Sequence, residues 1–320
     1  NGTYPRTMGR GIYVLDAFDG HVIFEASGHA RTDNSSFPYL VVPGMDCSIP
    51  ATATITKERG GAVYDRAYFG DTCGNVWRFD FSDANPNNWH VTQLASLGSY
   101  TSSSDRRKFL FAADVVYETG YDAVLIGSGD REAPFDTSVT NRFYMIKDYA
   151  TGALSTDSSG NPLFPTVTEA TLYNATTDCI ANPAACPSGV TSTISAQQLA
   201  SANGWYITLG TGEMDVGSAL AVGGTVFFNT NVPATVAQSQ NMCTSNLGIA
   251  RQYAVSVTNA TPTVNYFGTT GGVINRYTTY AGGGFLPSPV PWVQTFRYRQ
   301  SSLDGAGFHS LGQLGSGGCM

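Results

Sequence analysis

The chain has 320 residues, a net charge of −7 and a pI near 5.0, and only 13% of it is charged, about half the usual share. Such a chain offers no basic face for nucleic acid, and no run approaches the roughly 20 apolar residues that cross a bilayer as a helix. Its 36 Gly, 17 Tyr and 17 Phe favour many short strands joined by Gly, Asn and Asp turns over long helices.

Four strand–turn–strand units follow one another. Residues 11–15 predict a strand that runs through Asp16 into a tight Asp19-Gly20 turn, with 21–25 returning. Residues 68–71 and 74–81 predict a second unit, 122–129 and 142–148 a third, and 225–230 and 251–257 a fourth. In each, a buried apolar strand meets a Gly-rich turn and an amphipathic strand follows. Asp16, Asp80, Asp148 and Ser256 read as equivalent positions, with an insertion lengthening the last interval. Units of this kind cannot bury both faces alone and stack on their neighbours, as propeller blades do. The expected fold class is all-β, a modified β-propeller with long insertions between strands, and 1–320 reads as a single domain.

Residues 153–203 read as a loop insertion, with a short helical turn at 168–173. Pro287 and Pro289 exclude their stretch from a central strand. The run Asp105, Arg106, Arg107 and Lys108 is the one dense basic cluster and reads as an ordinary solvated loop.

The six cysteines lack the spacing of a zinc site, and their even number suits an oxidising compartment. Cys179 and Cys186 flank a compact loop that a disulfide would close. Cys47–Cys73 and Cys243–Cys319 are then pairings by elimination, since sequence alone does not fix connectivity.

Catalytic chemistry finds little support. Ser128 sits between two glycines, but no helix pattern follows it as a nucleophile elbow requires. The carboxylate pairs Asp130 with Glu132, Glu213 with Asp215, and Asp16 with Asp19 are sequence neighbours in turns, which read as turn caps. The densest polar constellation is the 127–142 loop, with Asp130, Arg131, Glu132, Asp136, Asn141 and Arg142. It is a candidate binding loop, set against the reading of a hydrogen-bonded connection between strands.

Several stretches resemble the type IV pilus tip adhesin and biogenesis (PilY) family, in its C-terminal domain. These are Tyr68, Gly70, Asp71, Gly74, Asn75, Trp77, Arg78, Phe79 and Asp80; residues 125–132 with 141–148; residues 204–209 with Gly212 and Glu213; residues 226–230; and residues 243–254. The resemblance runs in order from Tyr13 to Cys319. It implies a modified β-propeller that is incomplete at its N-terminus in this chain. It also implies secretion to the bacterial surface, at the pilus tip or outer membrane, and roles in pilus assembly, surface attachment and twitching motility without enzymatic activity. The implied partners are minor pilins, a host or abiotic surface receptor, and an N-terminal part of the same protein.

Many family members carry a calcium loop before the second unit. Here the corresponding positions hold Lys57, Arg59, Gly61 and Asp65, and only Asp65 offers a hard oxygen. The loop is expected to be calcium-free, with Lys57 or Arg59 paired to Asp65 in place of the metal, and no cofactor is expected. The alternative is a quinoprotein-like propeller dehydrogenase, suggested by residues 13–20. Adjacent cysteines and the repeated Trp of such enzymes are missing, and Phe24 stands at that Trp position in the first unit.

Overall fold

The computed structural model describes residues 8–99, 101–150, 165–234, 247–281 and 283–291. Alternation of apolar and polar residues between Gly and Asp turns produces four main sheets. The first holds β1 (Gly11–Leu15), β2 (Val22–Ser27) and β3 (Tyr39–Val41). The second holds β4 (Thr54–Thr56), β5 (Arg66–Gly70), β6 (Asn75–Asp80) and β7 (His90–Ser96) as an antiparallel meander. The third begins with β8 (Asp114–Glu118), β9 (Tyr121–Gly127) and β10 (Arg142–Asp148).

The chain then wanders. β11 (Val167–Thr168) returns to the second sheet, parallel to β7. A 3-10 turn at Glu169–Thr171 leads to β12 (Tyr173–Asn174), and α1 (Ser192–Ser201) precedes β13 (Gly204–Thr208). β13 pairs with β10 and completes the third sheet, with β12 at its edge. The fourth sheet comprises β14 (Met214–Asp215), β15 (Leu220–Val222), β16 (Thr225–Val232) and β17 (Ile249–Ser256). A small hairpin, β18 (Thr269–Thr270) and β19 (Val273–Ile274), precedes its last strand, β20 (Tyr277–Ala281).

Each sheet stacks face to face on the next in chain order, as propeller blades do. Phe24 and Ala26 of the first meet Ala67, Phe69, Trp77 and Phe79 of the second. Tyr68 and Val76 meet Val124, Ile126, Tyr144 and Ile146 of the third. Leu125, Phe143, Met145 and Trp205 meet Val226, Phe228, Tyr253 and Val255 of the fourth, with Phe143 and Phe228 stacked at 3.7 Å between ring centres. Among the described residues these clusters form an open series, with none joining the fourth sheet to the first.

Because both faces of the middle sheets are covered, β6 is buried along its whole length rather than amphipathic. Asp16 differs from its expected equivalents as well. Asp80 and Asp148 close the second strand of their hairpins and are buried, whereas Asp16 follows the first strand and caps an exposed turn.

The insertion contains a helix where a loop was expected. Thr191 caps it, accepting the Ile194 amide at 3.2 Å, and Ser195 and Leu199, one turn apart, face inward. Residues 151–164 lie outside the described residues. The basic run is not a solvated loop, because Arg107 and Lys108 are buried. Arg107 reaches Glu169 at 2.8 Å and Lys108 reaches Asp130 at 2.6 Å, ion pairs that burial of a charge requires.

Candidate functional site

The 127–142 loop leaves β9 and re-enters at β10, and its members divide into an exposed tip and a buried base. At the tip, Lys108 Nζ lies between Asp130 Oδ2 and Glu132 Oε2, at 2.6 and 3.3 Å. Asp130 Oδ1 also accepts the Glu132 amide at 3.0 Å, so both carboxylates are committed to one ammonium and one turn. The Arg131 guanidinium lies over the rings of Phe285 and Phe111, at 4.9 and 5.6 Å. Asp136 accepts the Ser138 amide at 2.8 Å, and hydrogen bonds from Ser138 lower its carboxyl below the ordinary range. Phe135, next to Asp136 in the chain, is well exposed.

At the base, Asn141 is buried. It accepts the Ser128 hydroxyl at 3.0 Å and donates to the Glu213 carbonyl at 3.2 Å. Ser128, equally buried, is thereby occupied and presents no accessible nucleophile. Arg142 pairs with Glu169 and lies over Tyr206 at 4.5 Å. The structure therefore brings Asp130 and Glu132 together but separates them from Asn141 and Arg142, which belong to the junctions between sheets.

Two glutamates that organise these junctions do not stand out in the sequence as hubs. Glu169 gathers Arg107, Arg142 and the Tyr144 hydroxyl, the last at 2.7 Å. Glu213 is fully buried and accepts from the Gly210 amide, Thr230, Tyr253 and Arg251. The other carboxylate pairs do no better as acid–base dyads. Asp16 and Asp19 share an exposed turn with His21, whose Nδ1 lies 2.6 Å from Asp19.

The 57–65 loop precedes β5. Asp65 Oδ2 accepts the Glu58 amide at 2.8 Å and Oδ1 accepts Arg66 Nε at 3.0 Å, so both its oxygens already face N–H donors. The cation on Asp65 is its neighbour Arg66, not Lys57 or Arg59. Arg59 is exposed, and Lys57 is held by its backbone to the Tyr117 hydroxyl. Arg66 opens a buried strand, so its guanidinium must find carboxylates inside, and it also approaches Asp122 at 3.1 Å. Gly61 contributes only a turn, its amide donating to Glu58. This donor set does not fit a calcium ion.

Cys47 and Cys73 are joined, Cα to Cα 5.9 Å, tying the segment after β3 to the β5–β6 turn. Cys179 and Cys186 are joined at 4.4 Å, beneath α1, where the Ser195 hydroxyl donates to the Cys179 sulfur. Cys243 and Cys319 lie outside the described residues. No helix among the described residues is long and apolar enough to cross a membrane.

No family model and no curated protein matches the sequence. Among solved structures, the Pseudomonas aeruginosa PilY1 C-terminal domain is similar, with a TM-score of 0.54 and 18% identity over 86% of this chain. The chain spans 62% of the length of that structure. The likeness is one of fold: an all-β, modified propeller with insertions between its strands.

Proposed function

We propose that this chain is the scaffold of a non-enzymatic, secreted module associated with type IV pili, serving surface attachment and pilus assembly. The observation that carries the reading is the junction between the second and third sheets. The Tyr68 hydroxyl donates to Asp148 at 2.6 Å, and Arg78 bridges Asp148 and Asp80. These residues lie in the sequence stretches that resemble the pilus family, and the fold is that of the PilY1 C-terminal domain. In such a scaffold, strands carry stability and loops carry recognition. The exposed tip around Phe135 and the disulfide-closed insertion are the recognition surfaces of this reading. Two disulfides suit an oxidising, extracellular setting. Minor pilins are the proposed partners, tested by biolayer interferometry of the purified chain against the minor pilins of its own source. Saturable binding is expected. Binding to none of them, with the chain folded by circular dichroism, overturns the pilus assignment.

The reading includes independence from calcium at the 57–65 loop. Isothermal calorimetry is expected to show no saturable calcium binding to the chain. A saturable isotherm that Asp65→Ala abolishes would reverse this.

A further inference from the structure

We infer that the insertion forms a binding groove for a neutral oligosaccharide. The inference deepens the adhesive reading above and names a ligand class for one of its surfaces. The groove encloses about 660 Å³ between α1, the Cys179–Cys186 loop and the 170–177 segment at the edge of the third sheet. That volume falls within the 300–1,000 Å³ typical of small-ligand sites.

Its chemistry is selective by what lines it. None of the lining residues carries a charge. A charged ligand moved from water into this groove would lose hydration with no counter-ion to replace it, which is costly. The polar lining consists of carboxamides and hydroxyls. Each carboxamide offers a donor and an acceptor side by side, and each hydroxyl can do either. Vicinal sugar hydroxyls, which both donate and accept, are the complementary surface. The side chains of Thr177, Gln198 and Asn203 make no hydrogen bond among the described residues, so their bonding capacity is available to a ligand. Asn174 uses one oxygen to hold the Thr176 amide, which fixes its orientation at the rim and leaves its NH2 available. Leu172 and Val190 add apolar wall against which the C–H face of a pyranose can rest.

The walls are built to stay in place. The disulfide pins one side, the Ser195 hydroxyl holds the helix to Cys179, and the backbone amide of Asn203 donates to the Thr171 carbonyl at 2.9 Å. A preformed site loses less conformational freedom on binding than one that must close around its ligand.

The test is a glycan array probed with the labelled chain, carrying neutral hexose and N-acetylhexosamine oligosaccharides beside sialylated and sulfated ones. Retention on neutral glycans is expected. Calorimetry on the best of them should then show at least a 10-fold loss of affinity for Gln198→Ala and for Asn174→Ala, and no binding for Thr177→Trp, which fills the groove. All three positions are exposed, so the variants should keep the parent's circular dichroism and melting temperature. No retention on any neutral glycan, retention on charged glycans alone, or affinities untouched by all three variants each overturn the inference. A chain that binds minor pilins but no glycan sinks this groove and leaves the pilus reading standing. One that binds neutral glycans through the groove but no pilin does the reverse.

Discussion

Asp71→Ala is expected to destabilise the fold by about 4 kcal/mol, the order found when a buried, multiply bonded charge is removed from its partners. Asp71 follows β5 and is completely buried. One carboxylate oxygen accepts the amides of Cys73 and Asn75 at 2.8 and 2.9 Å, and the other accepts Asn75 Nδ2 and Trp77 Nε1 at 2.8 and 2.9 Å. Removing it strands those donors in a turn that cannot open to water. Gly74 sits there at φ 79°, and a Cβ would meet the Gly98 backbone at 2.6 Å. The Cys47–Cys73 bridge holds the same turn. Asp71→Asn should be nearly as damaging, because its NH2 would face the Asn75 and Trp77 donors. Trp77→Phe should cost less, about 1–2 kcal/mol, because the carboxylate keeps its other partners. Urea unfolding followed by circular dichroism gives the comparison. A loss below about 1 kcal/mol for Asp71→Ala would show that the turn is held by its backbone and disulfide alone.

The hairpins were readable in the sequence because each is local. In β5–β6 a strand, a Gly and Asp turn and a returning strand lie within one short stretch, and in β9–β10 and β16–β17 the paired strands are still consecutive along the chain, though joined by longer connections. What they pack against was not readable. Tyr68 reaches Asp148, and Arg107 reaches Glu169, across long separations that no local pattern records. For the same reason, Arg107 and Lys108 looked like part of a surface charge run, although the distant Glu169 and Asp130 draw them into the interior. α1 was missed because its buried face amounts to Ser195 and Leu199, too narrow a stripe to show as periodicity. Of the candidate site, the spacing of Cys179 and Cys186 was legible. The groove beside them was not, because its walls come from segments separated by the disulfide loop. In the 57–65 loop, the shortage of side-chain oxygens at positions 57, 59 and 61 was plain from residue types. The identity of the cation on Asp65 depended on which side chains turn inward, and that is decided by the burial of β5.

The second large effect is one of pH. Asp215 closes β14 against the end of β9, its amide donating to the Ser128 carbonyl at 3.0 Å. Its Oδ1 accepts the Gly217 amide at 3.1 Å, while Oδ2 has no hydrogen-bond partner and presses on Gly127, where a Cβ would come within 1.6 Å of it. Glu213, two residues earlier, has a guanidinium beside it, but none of the ion pairs among the described residues reaches Asp215. Burial therefore pushes the Asp215 carboxyl from 3.8 up to about 8. The folded state holds this proton where the unfolded chain releases it. The stabilisation is fully present below about pH 4 and is lost as pH rises toward 8, at up to about 1.4 kcal/mol per pH unit. Asp215→Asn, close in shape and unable to ionise, removes that slope. Its stability is expected to match the parent near pH 4 and to exceed it at pH 8 by an amount on the order of 5 kcal/mol. Burial also raises the carboxyls of Asp71, Asp114, Asp122 and Asp178, so the parent alone would not isolate one residue. The difference between parent and variant does, read as urea midpoints at half-unit steps from pH 4 to 8.5. Parallel curves would mean that water or a cation reaches Oδ2 and that the junction between the third and fourth sheets is wetter than its packing implies. Converging curves at low pH would fix the proton on Asp215 and make this junction a part of the fold that alkaline conditions weaken.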